Sequence, residues 1–209
     1  MTAPFIVFEG GEGTGKSTQA RLLARALEEF GIAVVTTREP GGTPGAEAIR
    51  ELLLHPPGEG WSTAAEALLF AGARADHVAK VIRPAIIANQ WVLCDRFVDS
   101  SRAYQGLASR LGDAAIKTLH DIGSESLQPD LTIVLTLDDD VRNRRLARRD
   151  GQAADAIGGR DETFHRSVAD AFRKFAEGRD DYVVIDSAST EAVVHAQVLK
   201  EVRARFGAP

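Results

Sequence analysis

Short apolar stretches rich in β-branched residues alternate along the chain with longer segments in which apolar residues recur every three to four positions. The first pattern is typical of buried strands, and the second is typical of amphipathic helices. Their alternation predicts an α/β fold in which helices flank a parallel sheet. Five strands are predicted: Phe5 to Phe8, Ile32 to Thr37, Trp91 to Cys94, Leu131 to Leu137 and Tyr182 to Ile185.

The predicted helices fill the intervals between these strands. In the first helix an apolar stripe runs through Leu23 and Leu27, and Gly31 is suited to end it. In the last helix Val198 and Val202 belong to a four-residue repeat that predicts a core-facing side. The predicted helices are Ser17 to about Phe30, Gly45 to Leu54, Thr63 to Ala88, Ser100 to Gly123 with interruptions, Asp140 to Arg149, Asp161 to Glu177, and Glu191 to Phe206.

Size and composition narrow the class of protein. A chain of 209 residues with 44% hydrophobic and 26% charged residues predicts a single domain, residues 1–209, with a core of its own. The net charge of −5 argues against general nucleic-acid binding, which needs a basic surface.

Cysteine usage and hydropathy predict a cytoplasmic protein. The lone Cys94 cannot form an internal disulfide, and the histidines do not cluster at zinc-ligand spacing. The amino terminus lacks the features of a secretory signal, and no apolar stretch reaches the roughly 18 residues of a membrane span.

The strongest chemical signal is a glycine-rich loop between the first strand and the first helix. Its sequence matches the phosphate-binding pattern G-x-x-x-x-G-K-[ST], and its backbone N–H groups and the helix dipole would converge on a triphosphate. Lys16 would neutralise the β- and γ-phosphates, and the Ser17 hydroxyl would hold Mg²⁺. A glycine-rich turn with a chance lysine is the alternative. The loop consists of Gly10, Gly11, Glu12, Gly13, Thr14, Gly15, Lys16 and Ser17.

A second signal lies at the end of the third predicted strand. Asp95 follows a buried-strand run, as a metal-supporting carboxylate requires, and Arg96 comes next at the edge where open parallel sheets bind ligands. The two residues could also form a structural ion pair. Asp138 follows a similar strand, but the acids there are better suited to capping the next helix.

Two further segments carry candidate binding residues. Arg38 begins a loop rich in glycine and proline after the second strand, where it can reach a second phosphate. Phe70 and Arg74 are four residues apart on a predicted helix, so a ring could stack on a base while the guanidinium bonds its edge. Packing in the core is the more common role of a lone helical aromatic residue.

Together these motifs resemble thymidylate kinase, the dTMP kinase branch of the P-loop nucleoside monophosphate kinases. The resemblance covers nearly the whole chain, and the second and fourth motifs are more specific than the loop alone. The motifs are Phe8-Glu9-Gly10-Gly11-Glu12-Gly13-Thr14-Gly15-Lys16-Ser17-Thr18-Gln19, Thr37-Arg38-Glu39-Pro40-Gly41-Gly42-Thr43, Leu69-Phe70-Ala71 with Arg74, and Asp95-Arg96-Phe97 with Ser100-Ser101 and Ala103-Tyr104-Gln105-Gly106.

The resemblance implies a three-layer P-loop fold, a homodimer, and Mg²⁺-dependent transfer of the ATP γ-phosphoryl group to dTMP in dTTP biosynthesis. In this family Lys16, Asp95 and Arg96 would be catalytic, and Ser17 and Asp95 would serve the metal. The implied dTMP-binding residues are Glu12, Arg38, Phe70, Arg74, Arg96, Ser101, Tyr104 and Gln105.

The glycine-rich loop contains no arginine, so another segment must supply the transition-state cation. Residues 150–159 are rich in Gly, Ala and Asp and predict a mobile loop. Just before it, Arg145, Arg148 and Arg149 are candidates to swing over the phosphoryl group when a small lid at about residues 142–165 closes. A solvated basic helix end is the alternative.

Three other functions remain open on the sequence. A kinase for another pyrimidine monophosphate, or a deoxynucleoside kinase, would differ at Arg74, Ser101 and Tyr104. A partition-type ATPase would use the same loop as a switch and would hydrolyse ATP slowly without any monophosphate.

Overall fold

The five predicted strands form one parallel sheet. The computed structural model describes residues 3–149 and 156–207, with side chains described for 3–145 and 156–207. The strand order is β2-β3-β1-β4-β5, so the predicted α/β fold is confirmed. The strands are β1 (Phe5–Glu9), β2 (Val34–Arg38), β3 (Trp91–Asp95), β4 (Leu131–Thr136) and β5 (Tyr182–Asp186).

Parallel pairing brings the carboxyl ends of the central strands to one edge. In β1 Phe8 lies opposite Asp95 of β3, and in β2 Arg38 lies opposite the same aspartate. Strands β1 and β4 are buried along nearly their whole length, as expected for strands covered on both faces. The residues that follow β1, β2 and β3 therefore meet above the middle of the sheet.

The helices lie close to their predicted bounds. Thr43 caps α2, Ser62 caps α3, and Asp161 caps α8, each by accepting a backbone N–H with its side-chain oxygen. The helices are α1 (Lys16–Glu29), α2 (Pro44–Leu54), α3 (Thr63–His77), α4 (Arg83–Ile87), α5 (Val98–Ser101), α6 (Asp113–Ser124), α7 (Asp139–Arg149), α8 (Glu162–Ala176) and α9 (Glu191–Phe206).

Alternate residues of β1 face opposite cores, which makes the fold three-layered. Ile6 and Phe8 pack against the apolar stripes of α1 and α9. Phe5 and Val7 pack on the other face against α3, α4 and α6, and Phe172 of α8 belongs to a third cluster that covers β4. The period-2 alternation of side chains along a strand is the cause.

The long helix predicted over Thr63 to Ala88 is interrupted by a π-helical turn, Val78–Ile82. Pro84 lacks a backbone N–H, and its ring would collide with the carbonyl of residue 80 in a regular α-helix. The wider turn avoids this collision, and the N–H of Arg83 donates to the carbonyl of Val78 instead. A second π-helical turn, Arg102–Ala108, joins α5 directly to the next segment and accounts for the interruptions predicted there.

Part of the predicted lid lies outside the described residues. Its described portions are the carboxyl-terminal part of α7, residues 156–161 and the first turn of α8, whereas residues 150–155 of the predicted loop are not described. Within the described ranges, no helix is both long enough and apolar enough to cross a membrane.

Candidate active site

The glycine-rich loop connects β1 to α1 in a conformation that depends on its glycines. Gly10, Gly13 and Gly15 have φ angles of 133°, 72° and 90°, which L side chains rarely adopt. A Cβ at Gly10 would also collide with the carbonyl oxygen of Leu135 in β4. The loop is therefore pressed against the sheet, with Gly15 as the N-cap of α1.

Lys16 lies buried beneath this loop. Its Nζ donates to the carbonyl oxygen of Gly11 at 2.6 Å. Burial, together with the nearby guanidinium of Arg96, lowers the pKa of Lys16 from 10.5 to about 8. Burial disfavours the charged form of the lysine, and the guanidinium repels a second positive charge. Asp95, Glu9 and Glu12 are near enough to oppose this shift in part.

Asp95 ends β3 directly opposite the start of α1. The Ser17 hydroxyl donates to its Oδ2, so the two predicted metal ligands are in contact. The other carboxylate oxygen, Oδ1, is buried and accepts no hydrogen bond within the described part of the chain. A buried oxygen without a partner costs free energy that a bound cation would recover.

The donor set of Ser17 and Asp95 fits Mg²⁺. This ion is usually held by one or two carboxylates together with substrate phosphates and water. Among the described residues no group of three or more His, Cys, Asp or Glu side chains could form a metal cage. The rival Asp138 is exposed and directly precedes α7, whose first turn contains Asp139 and Asp140.

Arg96 occupies the centre of the site. Its φ angle is 71°, a left-handed conformation that is uncommon for a non-glycine residue and is concentrated at functional sites. Its guanidinium donates to the carbonyl of Gly10 at 3.2 Å and to Ser100 Oγ at 3.1 Å, and it lies 5.2 Å from the centre of the Tyr104 ring. These contacts orient the cation toward the open cleft.

Glu9 is a site residue that the sequence analysis quoted but gave no role. Its buried carboxylate accepts the backbone N–H groups of Phe97 and Ser100 at 2.8 and 3.0 Å and the Ser100 hydroxyl at 2.6 Å. Burial raises the pKa of Glu9 to about 7, and repulsion from Asp99 is the second-largest cause of the rise. Glu9 therefore fixes the turn that carries Arg96. A charged residue at the end of an otherwise apolar strand was the feature of the sequence that could have indicated this role.

The loop opens onto a cleft of about 620 Å³. Arg38 and Arg96 line it on one side, and Arg145 of α7 lines it on another. The guanidinium of Arg145 donates to the carbonyl of Gly13 at 3.4 Å and to that of Ser187 at 2.7 Å. Of the three candidate arginines, Arg145 is the one whose side chain is described at the loop. The side chains of Arg148 and Arg149 lie outside the described residues.

A smaller cavity of about 100 Å³ adjoins the cleft. Both spaces are lined by Glu12, Glu39, Arg50 and Arg96, so Arg96 faces each of them. The structure brings six of the eight residues predicted to bind dTMP to this cavity. They are Glu12, Phe70, Arg96, Ser101, Tyr104 and Gln105.

Arg74 lies behind the wall of this cavity and does not line it. Its Nε donates to Glu39 at 2.7 Å, and its Nη2 donates to Ser101 Oγ at 2.7 Å. His77 shares the same carboxylate at 3.0 Å and contacts Thr37 through its other ring nitrogen. This buried network had no separate signal in the sequence, because its members come from β2, the loop after β2, α3 and α5.

Arg38 also differs from the predicted arrangement. It is half exposed and forms two hydrogen bonds to Glu47, at 3.0 and 2.9 Å. It lines the large cleft and not the small cavity. Its assignment to the acceptor phosphate stays a prediction, which requires the guanidinium to leave Glu47.

The sheet order, the loop at the end of β1 and the carboxylate at the end of β3 define a P-loop nucleoside-triphosphate-binding protein. The second cavity beside the loop is typical of a phosphotransferase within that class, since it provides room for an acceptor. Comparison with known proteins identifies the family.

A family model for thymidylate kinase matches residues 8–198. A thymidylate kinase from Rhizorhabdus wittichii is 57% identical over 176 residues, which cover 84% of this chain and 85% of the relative. A thymidylate kinase from a Bradyrhizobium strain is 45% identical over 206 residues, covering 97% and 90% of the two chains. The crystal structure of thymidylate kinase from Ehrlichia chaffeensis has 33% identity and a TM-score of 0.77, covering 96% of this chain and 98% of that one.

The chain belongs to the thymidylate kinase family and is an enzyme of the kinase class. The family and the fold predicted from the motifs are thus confirmed. The roles of individual site residues stay predictions.

We expect ATP binding to take up protons above about pH 8. Free Lys16 loses its proton as the pH rises through its lowered pKa of about 8, and bound phosphates raise that pKa again by charge attraction. Below pH 7 the lysine is protonated in both states, so no uptake arises from it. Titration calorimetry in two buffers of different ionisation enthalpy, at pH 7 and pH 8.5, measures the difference.

Lys16→Met is the control for this measurement, because it removes the titrating group. It should remove the additional uptake at pH 8.5. Equal proton uptake by the variant and the unaltered protein at that pH would contradict the prediction.

Proposed function

We propose that this chain transfers the γ-phosphoryl group of ATP to dTMP, giving ADP and dTDP. The observation that carries the proposal is the pair of adjoining spaces that share Arg96 and Glu12. One space contains the phosphate-binding loop, and the other contains the aromatic and amide side chains suited to a pyrimidine nucleotide. Membership of the thymidylate kinase family supports the choice of acceptor.

On the donor side, the loop and Lys16 bind the triphosphate. The backbone N–H groups of residues 11–17 and the amino terminus of α1 attract phosphate oxygens. Lys16 already lies beneath the loop, with its ammonium on the Gly11 carbonyl. It exchanges that contact for the β- and γ-phosphates when ATP binds.

Ser17 and Asp95 hold Mg²⁺ in this proposal. The unpartnered, buried Oδ1 of Asp95 and its contact with Ser17 support the assignment. When bound, the ion neutralises charge on the phosphates and helps orient them. The protein's own part is to keep both oxygens at the end of β3, opposite the loop.

On the acceptor side, Phe70 stacks on the thymine ring and Arg96 binds the 5′-phosphate. The position of Arg96 between the two spaces is where the transferred group would pass. Tyr104 crowds the 2′ side of the sugar, and Ser101 and Gln105 contact the base and sugar. Glu12, Arg38 and Arg74 complete the proposed set, with Arg74 acting through Ser101.

Catalysis depends on positioning and charge stabilisation. A phosphate oxygen of dTMP is already nucleophilic and needs no strong base. Arg145 reaches the loop from α7 and is suited to stabilise the transferring phosphoryl group. The region at about residues 142–165 serves as a lid that excludes water and limits ATP hydrolysis.

A homodimer is also part of the proposal. Ile122 and Leu68 are 77% and 59% exposed, although apolar side chains of this size are usually covered. They lie on α6 and α3, which pack against each other where Gly123 meets Ala75. A second copy of the chain would cover these exposed apolar side chains on the two helices.

We expect rapid ADP release from Mg-ATP with dTMP and little with UMP, CMP, AMP or GMP. The preference follows from a cavity that admits a pyrimidine beside Phe70 and crowds the 2′ side of the sugar at Tyr104. A panel of these acceptors with dUMP and a no-acceptor sample measures it in parallel. Lys16→Ala serves as the negative control and should lower kcat by about 10²- to 10³-fold.

Preference for another acceptor would reject the thymidylate assignment but would not affect the assignment of the phosphate-binding loop. Equal ADP release without any acceptor would favour the partition-type ATPase. Near-normal activity of a folded Lys16→Ala protein would reject the donor site itself.

We expect Arg145→Ala to lower kcat by roughly 10³-fold, because an arginine that stabilises the transferring phosphoryl group contributes on that scale. Its neighbour Arg144 is exposed, and Arg144→Ala is the matched control that should leave kcat within a factor of two. Steady-state kinetics with saturating ATP and dTMP gives both values. If the two variants have the same kcat, the transition-state cation comes from another residue.

We expect sedimentation velocity to give twice the 22.5 kDa mass of one chain. Ile122→Glu should shift the protein toward the monomer, because a charge in an apolar interface is left unpaired. Val193→Glu changes a residue that is 48% exposed on α9, across the sheet, and should leave the mass unchanged. A monomer for the unaltered protein at micromolar concentration contradicts the proposal.

A further inference from the structure

The stretch of chain at residues 156–164 forms part of the surroundings of the small cavity of about 100 Å³, called here the acceptor cavity because it is proposed to hold the monophosphate. It comprises the last residues before α8 and the first turn of that helix. It lies within the region proposed above as a lid, but that proposal gives its individual side chains no role. Three contacts connect it to the cavity, through Gln105, Leu54 and Tyr104.

The first contact is a partly buried ion pair between Arg160 and Glu66 of α3. One carboxylate oxygen of Glu66 accepts from Nη2 of Arg160 at 2.5 Å, and the other accepts from the Gln105 amide at 2.6 Å. The Gln105 side chain lines the cavity. Because Gln105 donates its NH₂ to Glu66, its amide plane is held and its remaining polar atom has a defined direction.

The second contact is apolar. Ile157 lines the acceptor cavity together with Leu54 of α2, and the N–H of Ala156 donates to the carbonyl of Leu54 at 3.4 Å. Ile157 also packs against the cluster that contains Tyr104. The position of this wall therefore depends on how residues 156–160 are anchored.

The third contact links α8 to the sugar side of the cavity. The Phe164 ring lies edge-on to Tyr104, with centroids 5.9 Å apart, and the Arg160 guanidinium lies 4.6 Å from the centre of the Phe164 ring. Nη1 of Arg160 donates to Ser109 at 3.3 Å. Arg160 is thus the common anchor of the polar and aromatic contacts.

We propose that Glu66 and Arg160 are positioning residues for the acceptor nucleotide. Their ion pair orients Gln105 and holds Ile157 as a wall of the cavity, so it sets the affinity for the monophosphate and not the chemistry at the loop. This rests on the proposed function, since it concerns the same acceptor cavity. Neither residue lines the ATP cleft.

We expect substitutions of Glu66 and Arg160 to change the KM for dTMP. In Glu66→Gln the amide oxygen can still accept the hydrogen bond from Gln105. The amide NH₂ then faces Arg160, so the charge-assisted hydrogen bond to Arg160 is lost. Losing such a bond to a charged group should raise KM for dTMP about tenfold, while KM for ATP and kcat stay within about threefold. Arg160→Gln should raise the same constant by a similar factor.

A double-variant cycle tests whether the two residues act together. If they do, the protein carrying both substitutions should have a KM for dTMP close to that of either single variant and not the product of the two increases. Arg160→Lys retains the charge and should restore most of the affinity. Arg173→Gln, on the helix α8 that follows Arg160 and paired with Asp170 at the surface, is the matched control and should leave KM unchanged.

KM does not depend on the fraction of folded enzyme, so a loss of stability cannot imitate this result. Equal KM values for dTMP in the unaltered, Glu66→Gln and Arg160→Gln proteins would overturn the inference, as would a lowered melting temperature with no change in KM. If the unaltered enzyme prefers another monophosphate, the dTMP assignment fails. The same comparison made with the preferred acceptor still decides the roles of Glu66 and Arg160.

Discussion

The parallel pairing of β3 with both β1 and β2 is the constraint on which the site depends. It aligns three strand ends at one edge of the sheet, with Asp95 opposite both Phe8 and Arg38. Because strands run in the same direction, everything that follows them in the chain emerges on the same side. The phosphate loop, the metal-ligand candidate and the arginine at the centre are neighbours for this reason.

This arrangement requires charges to be buried together. Glu9, Lys16 and Arg96 are each surrounded by protein, and the pKa values of Glu9 and Lys16 move toward neutrality as a result. Burial of ions is costly unless each charge finds partners. The hydrogen bonds from the 97–100 turn to Glu9 supply partners on one side. On the other side, Lys16 and Arg96 lie near the acidic residues Asp95, Glu9 and Glu12 and line the cleft beside the phosphate-binding loop.

The smaller cavity, which we propose holds the acceptor, is built differently, from pairs that connect separate layers of the fold. Glu39 joins Arg74 and His77 beneath the cavity, and Glu66 joins Gln105 and Arg160 at its side. In each case a single carboxylate satisfies two donors, so neither donor is free to reorient alone. A rigid cavity of this kind discriminates among small ligands because its polar groups cannot adapt to the wrong one.

The sequence by itself determined the five strands, the phosphate loop, Asp95 and Arg96, and with them the family. These features depend on local patterns, since strand periodicity and the spacing of the loop residues are visible within a few positions. Only the tertiary structure decided that Glu9 supports the turn of Arg96, that Arg74 bonds Glu39, and that Arg145 reaches the loop. The partners in these contacts lie far apart in the chain, as Arg160 and Glu66 do at a separation of 94 residues. Such contacts form when helices pack on the sheet and bring distant side chains within hydrogen-bonding distance. A local sequence pattern does not predict which side chains these will be.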